Sequence, residues 1–493
     1  MKKIIIIGAG LGGLVAGNLL ARKGHHVTLF ESHSSPGGYT AGFWRKGFYF
    51  ESGTLSFESS NMIFNAMKDL ELFDKIKFVK QVSRWVSSDF DGITETYDDF
   101  KNLFRSAYPA EIDRLEKYFY EVDKMYNTMR YFGGEKKSLI QSLKNYAVGG
   151  LKALQVYRKY SHLTVSEFTG KFFAKDSLLY RIFKNIGYPD MSAWILGGAV
   201  ATLFDDYWTV EDGMQAWADV LADNFKKLGG ELKLNSYVNQ IITKEGAVVG
   251  VTCDDQNYEA DVVISASDYK KTFLKLLDNP SLVSQPLLEK IETNDVSEGI
   301  FTVYLGLALP YEKMLELMKI PHVIYIDEQP GADVHNPNDE SFFEKISVTL
   351  YSPSLLNAKL APEGTSSLMI QAICPNKWMS NWGGGNREKY KQLKEKVKNT
   401  LILKASAVIP DLQSHIEFQD AATPLTYERY TQNTGGATSA WSWNPNNKFY
   451  KSILKMNVET PVRNLFIGSC WSTQIGGVPS AVGAAYKCTK KIG

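Results

Sequence analysis

The chain has 493 residues, 44% hydrophobic and 22% charged, with a formal net charge of +1. That length exceeds one simple core and suggests two closely built domains, while the even charge balance offers nothing to draw nucleic acid. The four cysteines (Cys253, Cys374, Cys470 and Cys488) are too scattered for a disulfide framework or a zinc site, which fits a reducing compartment.

The chain begins Met1-Lys2-Lys3 and enters Ile4 to Ile7 at once, an apolar run too short for a signal peptide. No stretch of about 18 uncharged apolar residues suggests a transmembrane helix, so the cytoplasm is the expected location. Lys3 to Ile7 predicts a buried parallel strand, because an unbroken β-branched run suits a strand covered on both faces. Gly8-Ala9-Gly10-Leu11-Gly12-Gly13 follows, then a predicted helix over Leu14 to Lys23 that stops at Gly24. His26 to Phe30 predicts the second strand, with Glu31 and Ser32 at its end. In this order the glycines have separate tasks. Gly8 permits a tight turn, Gly10 lets backbone N–H groups approach a pyrophosphate, and Gly13 lets helix and strand pack closely. Glu31 can accept hydrogen bonds from an adenosine ribose and disfavours a 2′-phosphate there.

Pro36-Gly37-Gly38-Tyr39-Thr40 comes next, followed by Gly47-Phe48-Tyr49-Phe50-Glu51-Ser52-Gly53. Together with Glu31 this resembles the extended flavin motif E…GG-x-[ST]…GF-x-F-[DE]-x-G of amine oxidases, phytoene desaturases, carotenoid isomerases and retinol saturases. The resemblance implies FAD, with the second glycine pair on the pyrophosphate and the chain beyond it passing the isoalloxazine. Amine oxidases often carry Arg where Tyr39 stands, so the likeness leans toward the isomerase and saturase side.

Residues 59–207 predict a largely helical, aromatic-rich region. Pro109 suits a helix start ahead of amphipathic spacing over Ala110 to Tyr126. Residues 144–159 mix apolar side chains with four cations and no acid. Such a helix can lie in a bilayer interface, or pack on its own domain as an ordinary surface helix.

Beyond residue 207 the spacing predicts a helix over Gly213 to Lys227. Strands are expected at Glu231 to Leu234, Tyr237 to Thr243, Val248 to Cys253 and Tyr258 to Ala266. This block resembles the family's middle section, which implies that Val238 contacts the adenine. Residues 276–450 interleave strands and helices and hold no second glycine fingerprint, so a nicotinamide cofactor, NADH or NADPH, is expected to act transiently or not at all. Gly383-Gly384-Gly385 reads as a loop. Leu360 to Gly364 and Thr423 to Tyr430, the latter followed by Gly435-Gly436, resemble segments of the saturase and isomerase relatives. No cysteine stands at that turn, so FAD is expected to be noncovalent.

The C-terminal run predicts a strand over Asn464 to Gly468, a loop from Ser469 to Gly476-Gly477-Val478-Pro479, and a helix through Ala485. It resembles the closing flavin motif, which implies that Gly468, Ser469, Gly476, Gly477 and Val478 meet the ribityl chain and the pyrimidine side. Many relatives carry an acid where Ser469 stands. Cys470 reads as a buried neutral thiol rather than a redox group.

The expected fold class is therefore α/β, a Rossmann-type FAD-binding domain (1–58, 208–275 and 455–493) interleaved with a mixed α+β substrate domain (59–207 and 276–454). The function expected from the resemblance is an FAD-dependent oxidoreductase or isomerase. Its substrate would be a carbon–carbon double bond system of an apolar polyene, isoprenoid or fatty acyl lipid. Saturation, desaturation and isomerisation share this site type. The chemistry belongs to the flavin, so no Ser-His-Asp set is needed; none is found among the seven histidines, and no spacing suits a metal. No residue stands out as the catalytic acid or base, and no motif bears on oligomeric state. Two other readings are a flavin amine oxidase and a flavin-free lipid chaperone of the same fold. The retained Gly8, Gly10, Gly13 and Glu31 argue against the chaperone.

Overall fold

The computed structural model describes residues 1–133, 139–332, 336–453 and 455–493, without the side chains of 129–149 and 380. A five-stranded parallel sheet runs in the order Leu465–Ile467, Val262–Ser265, Lys3–Ile7, His26–Phe30, Glu231–Lys233. The unbroken isoleucine run at its centre is explained by two covered faces. Ile4 and Ile6 pack toward the helices Leu11–Arg22, Met214–Lys227 and Gly477–Ile492, while Ile5 and Ile7 face a second core with Val238, Ile241 and Val251. That second core lies under an antiparallel sheet of Val238–Lys244, Ala247–Cys253 and Gln256–Glu259. The fold class is α/β, as expected.

The boundaries differ from expectation in places. The first helix starts at Leu11 rather than Leu14, because Gly12 and Gly13 form its opening turn. The strand expected over Tyr258 to Ala266 is two strands in different sheets. Gln256–Glu259 completes the antiparallel sheet, and Val262–Ser265 joins the parallel one. Between them Asp261 is tied to the first strand: its carboxylate accepts from Lys3 N at 2.7 Å, and its own N–H donates to Lys3 O at 2.9 Å. Gly383 to Gly385 is not a plain loop. It closes a short helical segment, Met379–Gly384, whose positive φ at Asn381, Trp382 and Gly383 turns Trp382 against Trp378.

A seven-stranded sheet follows the order Ile416–Ala422, Gly299–Leu307, Ser366–Cys374, Val348–Tyr351, His322–Tyr325, Ser83–Val86, Asp91–Thr94. Its last two strands come from the region expected to be largely helical. One face, with Phe301, Val303, Leu305, Leu368 and Ile370, packs on the helix Arg387–Ala405. Across the pleat, Tyr304, Tyr351 and Met369 pack with Phe48 and Phe50 of the hairpin Gly42–Arg45/Phe48–Glu51. A helical layer that includes Ile112–Gly133, Leu178–Lys184 and Ala193–Asp205 buries its own aromatic core around Phe100, Tyr118 and Phe183. Among the described residues no helix is long and apolar enough to cross a membrane.

Candidate active site

The first strand ends at Gly8, whose φ of +100° favours glycine and whose N–H donates to Phe30 O at 2.7 Å. Gly10 caps the following helix from an extended conformation, and a Cβ placed on it would meet no heavy atom within 4 Å. Unpaired backbone N–H groups of the first helical turn therefore open on free space, an arrangement that suits an anion. Glu31 braces this turn from the second strand. Its Oε2 accepts from Ala9 N at 2.7 Å, and its Oε1 accepts from His33 N at 2.8 Å and from the Ser32 hydroxyl at 3.2 Å. The second glycine pair docks on the first: Gly37 N donates to Ala9 O at 2.8 Å, and a Cβ on Gly38 would lie 3.3 Å from Gly10 Cα.

A cavity of about 530 Å³ runs from this cradle along the C-terminal ends of the parallel strands. Fourteen of the candidate residues line it: Gly8, Gly10, Leu11, Gly12, Glu31, Ser32, Gly37, Gly38, Tyr39, Thr40, Val238, Ser469, Gly477 and Val478. Four candidates instead serve the backbone around it. Ala9 ties the glycine turn to Glu31 and Gly37. Gly13, Gly468 and Gly476 permit close approach, since a Cβ would lie 2.0 Å from Gly8 O, 2.5 Å from Ile264 Cγ2 and 1.9 Å from Ser439 O, respectively. The Ser469 hydroxyl donates to Ser267 O at 2.8 Å, fastening the closing loop to the strand Val262–Ser265. Burial pushes the Cys470 thiol up to about 12, so it stays protonated near neutrality.

The far end of the cavity is aromatic. Tyr39 stacks on Tyr427 with ring centroids 5.8 Å apart, and its hydroxyl donates to Gly436 O at 2.9 Å. Burial pushes the Tyr39 phenol well above its ordinary value. Tyr427 OH lies 2.6 Å from Thr302 Oγ1 and 3.3 Å from Tyr304 OH. Gln371 Nε2 donates to Thr302 Oγ1 at 3.2 Å and to Gly53 O at 3.3 Å.

Gln371 also lines a second cavity, about 790 Å³, between the seven-stranded sheet and the helical layer. Its walls are largely apolar, with Trp85, Leu203, Ile324, Ile326, Ile346 and Ile373. The hydrogen-bonded row Gln371–Thr302–Tyr427 thus spans from one cavity to the other.

The sequence profile of the family described as flavin containing amine oxidoreductase matches residues 11–308. The chain belongs to that family. Within it, similar curated proteins are 4,4'-diapophytoene desaturases. The 4,4'-diapolycopene-forming enzyme of Methylomonas sp is 26% identical over 91% of this chain and 88% of that protein. The 4,4'-diaponeurosporene-forming enzyme of Staphylococcus aureus (strain Newman) is 24% identical over 98% of this chain and 97% of its own. Among solved structures, putrescine oxidase bound to putrescine superposes with a TM-score of 0.65 at 15% identity, covering 100% of this chain and 98% of that one. An oxidoreductase from Methanosarcina mazei gives 0.59 at 15%, covering 98% and 100%. These superpositions establish the shared fold.

FAD is the cofactor that membership of this flavoprotein family implies, and the cradle fits it. The open space over Gly10, the helix start and the carboxylate at the end of the second strand match a dinucleotide's pyrophosphate and ribose. Sequence reasoning missed Thr302, Tyr304 and Gln371, and gave Tyr427 no role beyond the Thr423 segment. Each is an ordinary strand or helix residue until the sheet brings Tyr304, Tyr427 and Gln371 to a cavity wall, with Thr302 hydrogen-bonded between Tyr427 and Gln371. The only available signal was polar residues in apolar strands, as in Gly299–Leu307 and Ser366–Cys374.

Proposed function

We propose that this flavoprotein desaturates an apolar isoprenoid polyene, using noncovalently held FAD. The observation that carries this reading is the shared wall between the two cavities. A glycine-built cavity with Tyr427 in its wall and a second, largely apolar cavity with Gln371 in its wall are joined by the hydrogen-bonded row Gln371–Thr302–Tyr427. The desaturase relatives support the direction of reaction, and Tyr39 in place of an amine oxidase arginine agrees with them.

In this reading the N–H groups after Gly10 hold the pyrophosphate, Glu31 the adenosine ribose and Val238 the adenine. Gly37, Gly38 and Thr40 line the middle of the cofactor, and Ser469, Gly477 and Val478 its flavin end. FAD, when bound, supplies hydride acceptance at its N5. The chain's own residues do the rest. The largely apolar second cavity aligns a long chain, while the Tyr39–Tyr427 stack and the Gln371–Thr302 pair fix the floor on which the reacting carbons lie. Segments 1–58, 208–275 and 455–493 form the cofactor-binding unit, and 59–207 with 276–454 the substrate unit. NADH or NADPH would bind weakly, in competition with substrate, because only one phosphate cradle is built among the described residues.

Substrate entry from a membrane surface is supported by the helix Leu139–Tyr160. Leu151 and Leu154 are exposed on it beside Lys152 and Arg158. Lys159 is less available, since it pairs with Glu121 at 3.1 Å. The side chains of 144–149, part of the same expected surface, lie outside the described residues.

The test is product analysis. Purified yellow protein given 4,4'-diapophytoene in vesicles with an electron acceptor should yield products with longer conjugation. A primary amine oxidised while the polyene returns unchanged would replace this reading with the amine oxidase one. Acid precipitation should release the flavin into the supernatant.

A further inference from the structure

One rung of the seven-stranded sheet crosses from one cavity to the other. Trp85, Ile324, Thr349 and Gln371 stand side by side on adjacent strands and line the second cavity. Thr302 and then Ala422 continue the rung, and Ala422 lines the first cavity. Within this rung Gln371 is the last side chain on the second cavity's side of the boundary.

The amide of Gln371 is oriented by its partners. Its Nε2 lies 3.3 Å from Gly53 O and 3.2 Å from Thr302 Oγ1. A carbonyl oxygen only accepts, so the atom facing Gly53 is the nitrogen, and both of its hydrogens are committed. Beyond Thr302 the hydroxyls of Tyr427 and Tyr304 follow at steps of 2.6 and 3.3 Å, and Tyr304 OH donates to Ser52 O at 3.4 Å. The row is therefore anchored at both ends on the backbone of Ser52 and Gly53. Oε1 is the polar atom that remains. No described residue donates to it, and it is not among the sealed oxygens of the interior. The half-buried Gln371 thus offers the second cavity a carbonyl oxygen held in place from behind. Engaging the N–H groups of an amide polarises it and leaves more negative charge on its oxygen.

We propose that Gln371 is a catalytic residue whose Oε1 faces the polyene and stabilises the positive charge that develops on the chain as a hydride leaves it. The inference rests on the proposed desaturation. The hydride departs from an allylic carbon with both electrons of its C–H bond and is accepted at the flavin N5. The positive charge left behind is shared along the conjugated chain. A neighbouring carbon then releases its proton to water entering at the end of the cavity lined by the exposed Lys175 and Asp176, and the electrons of that C–H bond become the new double bond. A dipole already aimed at the developing charge lowers the barrier without reorganising. The oxygen gives little to an uncharged hydrocarbon and more to the charged one, so its effect falls on rate rather than on binding.

The test compares the wild-type holoenzyme with Gln371→Met, which keeps the length of the side chain and removes the amide, in anaerobic single turnovers of 4,4'-diapophytoene. The variant should bind the polyene as tightly as the wild type and bleach its flavin about tenfold or more slowly. Its FAD content, flavin spectrum and midpoint potential should be unchanged. Bleaching as fast as in the wild type overturns the proposal and leaves the proposed function standing. Slow bleaching joined to lost FAD or a shifted potential also overturns it, because Gln371 would then only hold Gly53 in place. A second measurement needs no variant. Fluorine beside the reacting carbon disfavours positive charge, so the wild type should desaturate the fluorinated polyene more slowly, and an equal rate overturns the proposal. If 4,4'-diapophytoene leaves the wild-type flavin oxidised, the proposed function fails and this inference fails with it.

Discussion

The two cavities are made of different material. The cradle is backbone: glycines packed so closely that most tolerate no Cβ, with the start of a helix and one carboxylate, Glu31, lining the cavity. The chamber is side chain: isoleucines, tryptophan and leucine from a sheet face and a helical layer, with polar and charged groups such as Lys175, Asp176 and Gln371 among them. Backbone recognition fixes one ligand and resists change, whereas a side-chain wall can be reshaped residue by residue. One fold can therefore keep its flavin while its substrate varies.

That contrast can be broken most forcefully at Gly13. A methyl group there would lie 2.0 Å from Gly8 O, so Gly13→Val should prevent folding of the parallel sheet, read as insoluble or flavin-free protein. Gly10 separates folding from binding. Its φ of −67° accepts any residue and its Cβ would enter open space, so Gly10→Val should fold with near-normal circular dichroism and lose FAD. Loss of both properties in Gly10→Val would mean that the space is not the ligand's.

Glu31→Ala should come next, weakening FAD by roughly tenfold or more through loss of a charge-assisted hydrogen bond of about 1.5–3 kcal/mol. Equilibrium dialysis of the apoprotein with FAD measures it. On the chamber side, Ile373→Trp should fill space without touching the cradle. FAD content should stay unchanged while polyene turnover falls by about tenfold or more, by analogy with the cost of overpacking a filled site.

The smallest effect expected is a pH dependence at the joint between hairpin and cradle. Glu51 is fully buried, and burial pushes its carboxyl up to about 8 against the opposing Met214 N–H and Tyr49 hydroxyl. Its folded pKa lies above its unfolded value, so the protonated form is favoured by folding. The stabilisation is full below the unfolded value of 4.5 and is lost as pH rises toward about 8. Glu51→Gln should flatten this decline in melting temperature between those limits. An unchanged slope would show that Glu51 is ionised in the folded protein.

Much of the cradle was legible because its signals are local. Lys3–Ile7, the glycine turn, His26–Phe30 and Glu31 follow one another within one βαβ unit, and each residue's role depends on its neighbours in sequence. The strand over 258–266 misled because its apolar run continues across Ala260-Asp261, where a tertiary tie to Lys3 ends one sheet and starts another. The chamber was hidden for a related reason. Trp85, Ile324 and Ile373 come from distant strands that share a wall only through the seven-stranded sheet, with Ser83–Val86 supplied by a region whose pattern is otherwise helical. Gln371 carries no motif. Its place follows from the alternation that points Phe301 and Ile370 to one face and Thr302 and Gln371 to the other.

In the proposed function a polyene held in the second cavity meets the flavin at the Gln371–Thr302–Tyr427 row. Anaerobic mixing of the holoenzyme with 4,4'-diapophytoene, followed by flavin absorbance and product analysis in one turnover, tests it most directly. The flavin should bleach with one new double bond formed per flavin, and Ile373→Trp should slow this bleaching while retaining full FAD. An unbleached flavin with the polyene, alongside rapid bleaching by putrescine, would contradict it.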